Sequence, residues 1–239
     1  MKTTPNLQIL RSADRGHADH GWLDAHHTFS FAGYFDPERM GFGSLRVLNQ
    51  DRVAAGEGFG THGHRDMEIV TYVLDGTLEH KDSMGNGSQM RPGEVQFMSA
   101  GRGVTHSEFN PSKTEPLHLL QMWVLPRESG FPPRYEQKTF EESERRGRNR
   151  LVVSPDGSEG SLTIGADARM YAGLADGDEV VTYELPKDRM AWLHLAKGEV
   201  TVAGERLLAG DGAAITAPGP VEFRDGVRAE WVLWELPLE

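Results

Sequence analysis

"GTHGHRDMEIVTYVLDG", residues 60–76, places His62 and His64 ahead of a run rich in Val, Ile, Thr and Tyr that closes on Asp-Gly. β-Branched and aromatic residues suit a pleated strand, and Asp-Gly suits the tight turn that follows one. Side chains alternate faces along a strand, so residues two apart share a side. His62 and His64 therefore point the same way.

Similar runs lie on both sides: "GSLRVLNQD" (43–51), "MEIVTYVLDG" (67–76), "TLEHKDS" (77–83), "EVQFMSA" (94–100), "VTHSEFN" (104–110) and "LHLLQMWVLP" (117–126). Gly and Pro separate them, as in "GNG", "PGE" and "AGRG". The second half continues in the same style with "EVVTYELP" (179–186), "MAWLHLAKGEVTVAG" (190–204), "ERLLAGDGAAITA" (205–217) and "RAEWVLWELP" (228–237). The pattern reads as all-β. "YVLDGTLEHKD…MRPGEVQFMSAG" and "LHLAKGEVTVAGERLLAGDGAAITAPG" share an order of strand, Gly turn, strand, Gly-bearing turn and strand. Two copies of one barrel or sandwich unit are expected, cut into residues 1–130 and 131–239. Residues 127–150 read as the connector, turn-rich first and helical from Phe140.

Composition excludes several classes. The chain has 239 residues and a net charge of −11, so it is a poor partner for nucleic-acid phosphates. The densest basic patch, "RRGRNR" (145–150), follows "EESE" and reads as a solvated connection. There is no cysteine, which removes disulfides, thiolate chemistry and iron–sulfur clusters. No secretory signal is read at the start, and no apolar run nears the ~20 residues of a membrane span. A cytoplasmic protein without membrane contact is expected.

Nine of the ten histidines lie at or before residue 118, so imidazole chemistry belongs to the first half. His106 and Glu108 repeat the two-residue spacing of His62 and His64 on a later strand. If the two strands meet facing inward, three imidazoles and a carboxylate converge, a donor set for one divalent first-row metal. Glu68, four residues after His64, competes with Glu108 as the carboxylate, and spacing leaves that choice open. His80 and His118 read as packing or hydrogen-bonding groups. His26 and His27 precede the aromatic run "TFSFAGYF", read as core lining or as a flap.

"HHTFSFAGYFDPERMGFGSLRVLNQD", "GFGTHGHRDMEIVTYVLDGTLEHKDSMGN", "PGEVQFMSAGRGVTHSEFN" and "LHLLQMWVLP" resemble the bacterial pirin-like proteins of the cupin superfamily. The resemblance is close over about residues 6–126 and looser beyond. It implies two tandem cupin barrels of jelly-roll type, with one metal in the N-terminal barrel. It also implies His62, His64, His106 and Glu108 as ligands, leaving Glu68 as structural support. The family usually shows His-Pro-His where this chain has Gly63 between the imidazoles. Iron is the first expectation, with nickel, manganese, cobalt, copper or zinc as alternatives.

Family members of this kind are linked to quercetin 2,3-dioxygenase activity. The resemblance thus implies a metal-dependent dioxygenase that opens the central ring of flavonols and releases carbon monoxide, with Glu108 as the base. Phe31, Phe42, Phe59 and His80 are the expected pocket for a small aromatic substrate, with dioxygen as co-substrate. The second class is a metal- or redox-sensing regulatory protein acting through protein partners, as eukaryotic pirin does. A monomer is expected, since two linked barrels cover each other's faces.

Overall fold

The run 67–76 does become a strand, and its residues from Glu68 to Leu74 are all buried. The computed structural model describes residues 7–238. Its first strands are β1 (Leu7–Leu10), β2 (Gly16–Asp19), β3 (Leu23–His27), β4 (Leu45–Val53), β5 (Gly58–His64) and β6 (Glu68–Asp75). Then come β7 (Leu78–Asp82), β8 (Gly87–Met90), β9 (Glu94–Ser99), β10 (Val104–Phe109), β11 (Leu117–Val124) and β12 (Arg134–Thr139). A single helical turn, α1 (Glu142–Arg145), precedes β13 (Asn149–Ser154), β14 (Leu162–Thr163), β15 (Arg169–Gly177) and β16 (Val181–Leu185). The chain ends with β17 (Arg189–Val202), β18 (Glu205–Leu208), β19 (Gly212–Ile215) and β20 (Gly219–Pro237).

These strands pack as two compact units. One holds Gly16–Phe140 and Leu162–Ala166; the other holds Met1–Arg15, Glu141–Ser161 and Asp167–Glu239. The single cut after residue 130 used above does not describe this exchange of segments. Residues 7–10 form β1, which pairs with β19 in the second unit, and β12 pairs with β9 in the first.

The first unit has two sheets. The larger runs β12-β9-β6-β11-β4-β3-β2 and the smaller β5-β10-β7-β8. Leu23, Val53, Val73, Leu78, Met90 and Leu119 form one apolar cluster, and Ile69, Met98, Ala100 and Val104 another. β6 lies between β9 and β11, with both faces covered, which explains its unbroken apolar run.

Two local expectations need correction. Residues 134–139, "RYEQKT", were assigned to a turn-rich connector but form β12. Their charge hides the strand, and charge suits an edge position such as this one. The helix expected from Phe140 is only four residues long. Glu141 and Glu144 close a capping box around its start, and the chain returns to a strand at Asn149. Similarly, 205–217 divides into β18 and β19.

In the second unit β17 and β20, of 14 and 19 residues, form the spine. Trp231, at 0% exposure, stacks on Phe223 with ring centroids 4.7 Å apart. Its indole N–H donates to Asn149 Oδ1 at 2.8 Å. Gly173 lies beneath it, where a Cβ would come within 2.4 Å of the indole ring. Trp231→Ala is expected to cost about 3–5 kcal/mol in denaturant unfolding, by removing apolar burial and leaving a cavity. Trp231→Phe is expected to cost less, because it forfeits mainly the Asn149 bond.

Candidate metal centre

β5 and β10 are antiparallel neighbours, with Val104 opposite His64, Thr105 opposite Gly63 and His106 opposite His62. Beyond that pair the register shifts, and Glu108 stands opposite Phe59. From His62 back to Phe59 is three residues, while His106 to Glu108 is two, so β5 carries the extra residue of a bulge. The bulge brings the Gly60 carbonyl to within 2.8 Å of His62 Nδ1. An N–H on Nδ1 donates there, which leaves the Nε2 lone pair free for a ligand. Gly58 permits the close approach of the two strands, since a Cβ there would lie 2.3 Å from the Glu108 carbonyl oxygen. Gly63 is under no such demand; its nearest neighbour would be the Val104 carbonyl oxygen at 3.7 Å.

The three imidazoles gather tightly. Ring centroids lie 4.9 Å apart for His62–His64, 4.4 Å for His62–His106 and 4.9 Å for His64–His106. One donor atom from each lies within 4.8 Å of the others, and His80, His106 and Glu108 form a second such trio. His106 belongs to both. It is buried, and neither ring nitrogen has a hydrogen-bond partner. Glu108 Oε1 is likewise buried and unpaired, while Oε2 accepts a 2.8 Å bond from Gln121 Nε2. Leaving a buried polar atom unpaired costs about 1–3 kcal/mol, so three together mark a place built for something else. Imidazole nitrogens beside a carboxylate oxygen are the donors a divalent transition metal takes.

The electrostatics agree. Burial, reinforced by the charge on His62, lowers the His64 pKa to about 4. Burial first, then His62, His64 and His80, lowers that of His106 to about 3, with Asp82 opposing. Both imidazoles are thus neutral at pH 7, as metal ligation requires. Burial raises the Glu108 pKa, and the Gln121 bond moderates the shift.

The surrounding groups separate by role. Glu68 is spoken for: Oε1 accepts from Ser99 Oγ at 2.5 Å and Oε2 from the Gly165 N–H at 2.7 Å. The parity argument that put it on the His64 side fails because the chain turns between β5 and β6, where Asp66 has φ +48°. His80, fully buried, faces Glu108 across the β7–β10 ladder. It bonds Asp82 Oδ2 at 3.1 Å and stacks on Tyr135. His118 contacts Gln50 and Asp75, and His27 contacts Asn49. Of the expected aromatic walls, Phe59 packs against Trp22 and His62, and Phe42 forms an isolated bridge with Leu45. Phe31 lines a cavity of about 300 Å³. Two residues escaped the sequence reading: Gln121, which holds Glu108, and Trp123, whose ring lies 4.9 Å from that of His64. Both sit on β11, two apart and on one face, but nothing in the sequence tied that face to β5. A half-exposed trio, His17, Asp24 and His26, was also missed.

Two β units, with metal-capable clusters in the first alone among the described residues, define a two-domain cupin. Residues 9–124 match the family described as Pirin, and 151–236 match the quercetinase C-terminal cupin domain. The chain belongs to the pirin family. It is 47% identical over 231 residues to quercetin 2,3-dioxygenase of Escherichia coli (strain K12), covering 97% of this chain and 99% of that protein. It is 44% identical over 219 residues to a pirin-like protein of Caulobacter vibrioides, covering 91% and 94%. The crystal structure of the bacterial pirin YhhW from Escherichia coli in complex with nickel(II) superposes with a TM-score of 0.92. That match is 46% identical and covers 98% of this chain and 100% of that one. The expectation of an all-β chain with two cupin domains holds.

A pH dependence follows for the metal-free chain. Unfolded imidazoles take up protons below about pH 6.5. The folded His64 and His106 wait until about 4 and about 3. Protons therefore favour the unfolded state, and stability falls as pH drops from about 6.5 toward 4. Glu108, with its raised pKa, opposes this, but two imidazoles outnumber one carboxyl. Denaturant midpoints of chelator-treated protein are expected to fall between pH 7 and pH 5, and His106→Gln is expected to flatten the slope.

Proposed function

We propose that this chain is a metal-dependent dioxygenase that opens the central ring of flavonols such as quercetin, with release of carbon monoxide. His62, His64, His106 and Glu108 hold one divalent cation. The observation that carries the reading is His106, buried with both nitrogens unpaired beside His62, His64 and the unpaired Oε1 of Glu108. The full-length relatives named quercetin 2,3-dioxygenase and the nickel(II) complex of YhhW support it. Iron(II), nickel(II), manganese(II), cobalt(II), copper(II) and zinc(II) all accept such a donor set.

A bound cation supplies Lewis acidity, lowering the pKa of a hydroxyl that coordinates it. The protein does the rest. His62, held by the Gly60 carbonyl, keeps its tautomer without reorganisation. Glu108 takes the flavonol hydroxyl proton; burial strengthens it as a base, and Gln121 fixes its orientation. In the overall reaction both atoms of dioxygen stay in the opened ester, and one ring carbon leaves as carbon monoxide. No described helix is long and apolar enough to cross a membrane, and the expected substrates are small molecules.

Metal content by elemental analysis and loss of quercetin's visible absorbance under oxygen test the reading together. His106→Ala is expected to lose both. Glu108→Gln is expected to keep part of the metal while turnover falls by about 10² or more, the usual worth of a positioned base. Pure metal-loaded protein that leaves quercetin unchanged, alongside a working quercetinase control, refutes the proposal.

A further inference from the structure

The cavity of about 300 Å³ that includes Phe31 is formed largely by the segment between β3 and β4. Phe31, Tyr34, Phe35, Met67 and Trp123 make it aromatic and apolar, and one cation, Arg46, also lines it. That size is at the lower end for small-molecule sites. The wall is pinned rather than loose. Ser30 Oγ accepts from the Asp36 N–H and donates to the Asp36 carbonyl, both at 2.8 Å, and Phe31 bridges Tyr34. Phe31 meets Trp123 edge-on at 5.3 Å.

Two polar groups in this wall lack the partners they would ordinarily have. Arg46 donates from Nη1 to the Ser30 carbonyl at 2.8 Å but pairs with no carboxylate among the described residues. That is notable where 36 acidic residues outnumber 25 basic ones. The indole N–H of Trp123 is buried and has no acceptor. Aromatic faces hold flat rings, a guanidinium recognises an anionic oxygen, and an indole N–H donates to a second oxygen.

We propose that this cavity binds a planar aromatic anion, with Arg46 reading the charged oxygen and Phe31 and Trp123 holding the rings. Where that anion is a flavonolate, the proposal rests on the dioxygenase reading, and the oxygen that Arg46 reads is a second phenolate, distinct from the hydroxyl whose proton Glu108 takes. Trp123 would then join the two places, since it also packs against His64.

The probe is 2-naphthoate, compared with neutral 2-naphthamide by calorimetry on the protein as purified and after chelation. Both forms are expected to bind the anion about tenfold tighter, as a charge-assisted hydrogen bond gives. Arg46→Gln is expected to erase that preference, and Arg46→Lys to retain most of it, which separates charge from a mere packing role. Equal affinity for anion and amide overturns the proposal, as does an unchanged preference in Arg46→Gln. A preference that vanishes on chelation also overturns it, because the metal would then be reading the anion. Since the chelated protein carries the test, its outcome is separate from whether quercetin is oxidised.

Discussion

An imidazole sealed from water with both nitrogens unsatisfied is the constraint on which the first unit turns. His106 has no hydrogen-bond partner on its own strand, on β5 or on β7. Burial makes it neutral, and its neighbours make protonation worse. Such a group is stable only beside something that accepts its lone pair, and the three side chains facing it are the kind that share a cation. The bulge in β5, the glycine at 58 and the Gln121 bond to Glu108 all keep that arrangement in place.

Much of this was legible in the sequence for a simple reason. Period-two spacing fixes which side chains share a face, and it survives any uncertainty about strand ends. That rule alone puts His62 with His64 and His106 with Glu108, while the preference for Glu108 over Glu68 came from the family resemblance. Glu68 shows where the rule stops: counting by twos assumes an unbroken strand, and the turn at Asp66 breaks the count. The family resemblance, rather than spacing, implied a structural role for it. Gln121 and Trp123 were hidden because their importance depends on a neighbouring sheet, which period alone does not specify. β12 was hidden by its polar composition, since an edge strand keeps its charges. The exchanged segments of the two units were hidden for a further reason. Pairings such as β1 with β19 join residues about two hundred positions apart, with no local signal.

The second unit shows the same architecture put to different use. Where the first collects imidazoles, the second collects a salt-bridged cluster around buried Glu235. Arg169 and Arg189 donate to Oε1 of that carboxylate at 3.0 and 2.9 Å, and the Tyr183 hydroxyl donates to Oε2. Every donor there has its acceptor, so the group is settled within the protein. His194, fully buried in β17, is the one histidine of that half.

β5 lies at the margin of its sheet, paired on one side by β10. His62 and His64 are half-exposed on it, whereas His106 and Glu108 are buried on the inner neighbour. A grip made of one anchored jaw and one peripheral jaw releases by fraying at its rim, at a free energy below that of global unfolding. For the cation proposed at this site, local opening of β5 would let exchange proceed without unfolding the barrel.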